Sequence, residues 1–78
     1  MRKIVKTEEL RAARARTGLS QEKVANRLGY NSTTSYSDIE NGKRTPGIEM
    51  MIDIAKLFNG QVRDFFSIEI NYEGGIDD

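Results

Sequence analysis

The stretch SQEKVANRLGYNSTTSYSDIENGK, residues 20–43, decides how the chain is read. Ser20 offers a side-chain oxygen to the free N–H groups of a first helical turn, and Val24, Ala25 and Leu28 follow at helical spacing until Gly29 interrupts. The second half sets six hydroxyl-bearing side chains in a row, from Ser32 to Ser37. Such weak helix formers suit either a loop or a helix whose outer face touches something. Tyr36 and Ile39, spaced to share one side, and the stop at Asn41 and Gly42 favour a helix over 33–41.

Outward from this stretch the punctuation continues. Thr7, Glu8 and Glu9 supply a capping oxygen and negative charge for a helix over about 7–17, with Leu10 and Ala13 as its apolar stripe and Gly18 as its stop. After the turn from Lys43 to Pro46, the spacing predicts a helix over 48–58 with Ile48, Met51, Ile52, Ala55 and Phe58 on its inner face, ended by Asn59 and Gly60. A short fifth helix, 61–66, brings Val62, Phe65 and Phe66 back onto that face. The expected fold is all-α, with five helices at about 7–17, 20–28, 33–41, 48–58 and 61–66 forming a domain over 1–66. In the tail, 67–78, the alternation of Ile68, Ile70 and Tyr72 with polar residues reads as a strand before a frayed end. Its partner is either Lys3 to Val5 or the same strand of a second subunit.

Seventy-eight residues suffice for one small core. The chain has no histidine and no cysteine, which removes disulfides, thiol nucleophiles, imidazole bases and the usual zinc ligand sets. No enzyme, metal site or cofactor is expected. Nothing in the sequence is apolar for long enough to span a bilayer or to serve as a secretory signal, so a cytoplasmic location is the expectation. The net charge of zero conceals a division: residues 1–46 carry ten Lys or Arg against five Asp or Glu, and residues 47–78 carry two against seven. A polyanion meets a local face and not the average, so the basic first half keeps nucleic acid among the candidate partners.

The second and third helices are separated by about four residues including a glycine, the connection of a helix-turn-helix. Around it stand Arg14, Gly18-Leu19-Ser20-Gln21-Glu22, Val24-Ala25, Leu28-Gly29, Ile39-Glu40-Asn41-Gly42-Lys43-Arg44, Pro46, Ile48-Glu49 and Ile54-Ala55. This ordered set resembles the lambda-repressor and Cro-like helix-turn-helix family, the XRE family, from about Leu10 to Phe66. The resemblance implies a five-helix domain that binds double-stranded operator DNA as a homodimer, with the third helix entering the groove. By the same resemblance Gln21 bonds a phosphate and braces the third helix, and Ser32 caps that helix. Thr33 and Thr34 meet base edges or phosphates, and Ser37 and Asp38 face the groove one turn later. Asn41, Lys43 and Arg44 contact the backbone of the duplex, and Arg14 and Glu40 form an internal ion pair.

Two departures accompany the match. Between Gly29 and Glu40 the chain has one residue more than the family spacing, assigned to Asn31 and expected to lengthen the turn and not the helix. Asp38 stands where many members carry a donor; a carboxylate there either accepts from cytosine N4, holds Lys43, Arg44 or Arg27, or deters wrong sequences. The alternative to a stand-alone regulator is an antitoxin-like interaction module whose acidic second half, with Glu69, Glu73, Asp77 and Asp78, holds a basic protein partner.

Overall fold

A computed structural model describes residues 2–69. The order is β1 (Arg2–Val5), α1 (Thr7–Thr17), α2 (Gln21–Arg27), α3 (Thr33–Glu40), α4 (Ile48–Leu57), α5 (Val62–Phe65) and β2 (Phe66–Glu69). The five helices enclose one core of Leu10, Ala13, Val24, Ala25, Tyr36, Ile39, Met51, Ile54, Ala55, Phe58, Phe65 and Phe66. Among the described residues no helix is long and apolar enough to cross a membrane.

The start of α1 differs from expectation. Thr7 is its first residue, and the cap position belongs to Lys6, whose side chain makes no cap bond. Anchorage comes from the far end of the chain instead: the Lys6 N–H donates to the Phe65 carbonyl at 2.8 Å and Lys6 Nζ donates to the Arg63 carbonyl at 2.9 Å. At the other end Gly18 takes a left-handed φ of 74° and donates to the Arg14 and Ala15 carbonyls. Its lack of a Cβ makes that conformation inexpensive.

Ser20 caps α2 by accepting from the Lys23 N–H at 3.1 Å, and Ser32 caps α3 by a longer bond from the Ser35 N–H at 3.4 Å. The α3 helix ends at Asn41, and Gly42 turns the chain at φ 78°. A Cβ at Gly42 would also stand 3.3 Å from Thr7 Cγ2, so close approach and backbone conformation both favour glycine. Past α4 the left-handed turn falls on Asn59, at φ 58°. The Gln61 N–H then donates to Asp64 Oδ2 at 2.8 Å, closing the first turn of α5.

The inner face of α4 is rotated from the expected one. Met51, Ile54, Ala55 and Phe58 are buried, at helical steps of three and four, whereas Ile48 and Ile52 are 46% and 39% exposed. The series 48, 52, 55 reads equally well as an apolar stripe, but with α5 packed on α4 and Phe65 meeting Phe58 edge-on at 5.8 Å, the neighbouring stripe is the one covered.

The tail strand begins at Phe66, earlier than Ile68, and pairs antiparallel with β1, placing Val5 opposite Phe66 and Lys3 opposite Ile68. The intrachain partner is therefore the one used. Phe66 is buried, while Ile68, on the same side of the strand but beyond the helical core, is 42% exposed. Ile70 to Tyr72 and the expected frayed end lie outside the described residues.

The rotated face has a measurable consequence. Ile54→Ala should lower stability by about 2–5 kcal/mol in urea unfolding, and Ile52→Ala by less than about 1 kcal/mol.

Candidate nucleic-acid interface

The helices α2 and α3 are joined by a five-residue turn, 28–32. Gly29 is left-handed within it, at φ 87°, and the Tyr30 N–H donates back to the Ala25 carbonyl at 2.9 Å. Asn31 is exposed in this turn, and α3 starts beyond it at Thr33.

One side of α3 is locked to the body. Tyr36 and Ile39 are fully buried, and with them Glu40, at 1% exposure, is the buried charged residue among those described. A carboxylate so placed requires donors. Arg14 supplies a two-pronged contact, Nε to Oε1 at 2.8 Å and Nη2 to Oε2 at 3.0 Å, and its Nη1 donates to the Leu19 carbonyl at 3.1 Å. Gln21 Nε2 adds a third bond to Oε2 at 3.1 Å. One carboxylate thus joins α1, the first residue of α2 and the last residue of α3, and its arginine adds the turn after α1.

Burial alone would raise the Glu40 pKa, but the bonds from Arg14 and then Gln21 outweigh it and hold the carboxyl below its ordinary range. The bond to Glu40 likewise raises the Arg14 guanidinium above its usual value. Burial first, and the Glu40 charge second, push the Tyr36 phenol up, so its hydroxyl stays neutral. That hydroxyl is buried with no hydrogen-bond partner in good geometry among the described residues.

The other side of α3 is polar. Thr33 and Thr34 are exposed, and Ser37 and Asp38 are half-buried one turn later. Thr34, Ser37, Asp38 and Asn41 follow one another at helical steps along a single row. Ser37 Oγ donates to the Thr34 carbonyl at a long 3.4 Å, and Ser32 Oγ lies 3.2 Å from Ser35 Oγ. These contacts are weak enough to be exchanged for an external ligand.

Asp38 acts through its main chain. Its carbonyl accepts from the N–H of Lys43 at 2.8 Å and of Arg44 at 3.1 Å. Its carboxylate makes no ion pair with Lys43, Arg44 or Arg27 among the described residues, where the pairs are Arg14 with Glu40 and Arg2 with Glu69. Of the alternatives for the Asp38 carboxylate, the one in which it holds Lys43, Arg44 or Arg27 is corrected: the turn after α3 is fixed by the Lys43 and Arg44 N–H groups on the Asp38 carbonyl, with no ion pair from the side chain among the described residues.

Comparison with known proteins matches these elements. The sequence model of the helix-turn-helix family matches residues 10–65, from Leu10 in α1 to Phe65 in α5. The chain belongs to the helix-turn-helix family. It is similar to two uncharacterized HTH-type transcriptional regulators of Archaeoglobus fulgidus. One is 33% identical over 57 residues, covering 73% of this chain and 80% of the relative. The other is 34% identical over 53 residues, covering 68% and 73%. No solved structure gives a significant match. Membership implies DNA binding, and the family is generally non-enzymatic.

Within the helix-turn-helix frame, α2 and α3 form the motif and the nine residues expected to meet DNA divide into three places. Gln21 starts α2; Ser32, Thr33, Thr34, Ser37 and Asp38 lie at the cap and outer side of α3; Asn41, Lys43 and Arg44 are exposed in the turn after it. Gln21 is already occupied on one side by Glu40. Two further residues stand beside this set and were not read from the sequence. Tyr30 lies under the Arg44 guanidinium, 5.7 Å from carbon to ring centroid, tying the turn before α3 to the turn after it. Arg11 Nη2 donates to Asn41 Oδ1 at 3.1 Å across 30 positions of sequence, a separation that no local pattern encodes.

The Glu40 network predicts two outcomes. Arg14→Ala leaves a buried carboxylate short of its main partner and should cost about 3–5 kcal/mol in chemical unfolding. The folded-state pKa of Glu40 lies below the ordinary 4.5, so its contribution is complete above pH 4.5 and is lost as pH falls through the lower folded value. The urea midpoint should therefore decline on acidification in that window, and the decline should be shallower in Glu40→Gln.

Proposed function

We propose that the chain is a sequence-specific transcription regulator that acts as a repressor, binding operator DNA as a two-fold dimer with α3 in the major groove. The observation that carries this reading is the asymmetry of α3. Tyr36, Ile39 and Glu40 secure one side, while Thr33, Thr34, Ser37 and Asp38 keep the other polar and available. Occupying an operator excludes other proteins from it, so repression requires nothing beyond binding.

In this reading Gln21, Ser32, Asn41, Lys43 and Arg44 meet phosphates and set the register of α3, and Thr33, Thr34, Ser37 and Asp38 face base edges. Gln21 keeps a second amide N–H for a phosphate at the start of α2, where free main-chain N–H groups also favour an anion. Hydroxyls donate or accept, threonine methyls suit the thymine methyl, and Asp38 accepts from cytosine N4. Without an Arg or Gln on the outer row of α3 to grip a base by two bonds, discrimination comes largely from DNA shape and half-site spacing. The two copies of α3 would lie about 34–36 Å apart.

Residues 1–66 would form the DNA-binding unit, and the segment from Ser67 would contribute to the dimer. Phe65 and Phe66 are 4% and 2% exposed and belong to the chain's own core. The exposed Ile68 on β2 is the better-placed contact.

Selection from random duplex DNA should enrich a two-fold symmetric site with half-sites one helical turn apart, and affinity for it should fall steeply with salt. Salt-dependent binding without an enriched site would contradict sequence-specific regulation, and absence of binding at low salt would overturn the reading as a whole.

A further inference from the structure

The contact between Arg11 and Asn41 extends the interface onto α1. Resting on the DNA-binding reading above, we infer that Arg11 is an additional phosphate-binding residue and sets the orientation of the Asn41 side-chain amide. Arg11 and Arg14 are separated by three positions on α1, and their partners Asn41 and Glu40 are neighbours at the end of α3. The inner contact is a buried ion pair; the outer one is exposed and leaves the arginine charge uncompensated, since Arg11 forms no ion pair among the described residues.

Chemistry decides how the exposed contact is polarised. A guanidinium has only N–H donors, so the Asn41 carbonyl oxygen must face Arg11 and the Asn41 NH2 must point elsewhere. Asn41 therefore offers donors, the type a phosphate requires, at the end of the row that runs through Thr34, Ser37 and Asp38. Arg11 retains further N–H groups and its full positive charge beside that NH2, and exposed Lys43 follows in the same turn. An arginine used only to hold the end of α3 would need no free charge. One that faces a polyanion uses both its charge and its remaining donors.

The test is the salt dependence of binding to one duplex for wild type, Arg11→Gln and Arg16→Gln. Arg16 is an exposed cation on another side of α1, lining a surface hollow with Phe58, Asn59 and Arg63, so its loss removes the same charge away from Asn41. Each phosphate contact contributes about 0.9 to the slope of log affinity against log salt. Arg11→Gln should make the slope shallower by about 0.9 with its thermal midpoint almost unchanged, and Arg16→Gln should keep the wild-type slope. An unchanged slope in Arg11→Gln, or an equal loss in both variants, would overturn the role of Arg11 while leaving DNA binding intact. Failure of the wild type to bind at low salt would remove the underlying reading and this inference with it.

Discussion

A carboxylate buried at the end of α3 must be neutralised where it stands, and the arrangement of the first three helices follows from that requirement. Glu40 receives two bonds from Arg14 and one from Gln21, and Arg14 is itself fastened to the Leu19 carbonyl. Removing either charge while keeping the other leaves an unpaired ion where water is scarce, so the pair is costly to break. What the network supplies is geometry. It sets the first residue of α2 against the last residue of α3, two ends that a polar turn alone would leave loosely related.

The same constraint separates the two sides of α3. Tyr36 and Ile39 continue the buried side, and Thr34, Ser37 and Asp38 on the opposite row make no strong side-chain bond among the described residues. A helix so rich in serine and threonine would be marginal in isolation, since its hydroxyls compete for backbone groups and its side chains lose rotamer freedom. Tertiary packing supplies the stability that local propensity lacks. In the proposed reading this is useful, because the outer side is then chosen for contact with DNA and not for helix formation.

Charge is divided along the same lines. The cations around the interface come from the basic first half of the chain, whereas α4 and α5 carry more acid than base. A neutral molecule thereby presents a positive edge. Arg11 and Arg44 show how that edge is organised: one is joined to Asn41, the other lies over Tyr30, and neither spends its charge on a carboxylate of the described chain.

Much of the fold was legible because it is punctuated locally. Ser20 and Ser32 mark helix starts, Gly18, Gly29 and Gly42 take the left-handed turns, and motif residues around Gln21 and Glu40 carry the family resemblance. By itself the sequence determined five helices, their order and the polar face of α3, since caps, glycines and helical periodicity act over a few residues; the pair of Arg14 with Glu40, 26 positions apart, was implied by the family resemblance. Tertiary structure alone decided which apolar stripe of α4 is covered, that Lys6 is tied to α5, that β2 pairs with β1, and that Arg11 reaches Asn41. Each of these depends on residues far apart in the chain. Two stripes on a helix, or two candidate strands, have nearly equal local merit, and only the surface brought against them distinguishes one from the other.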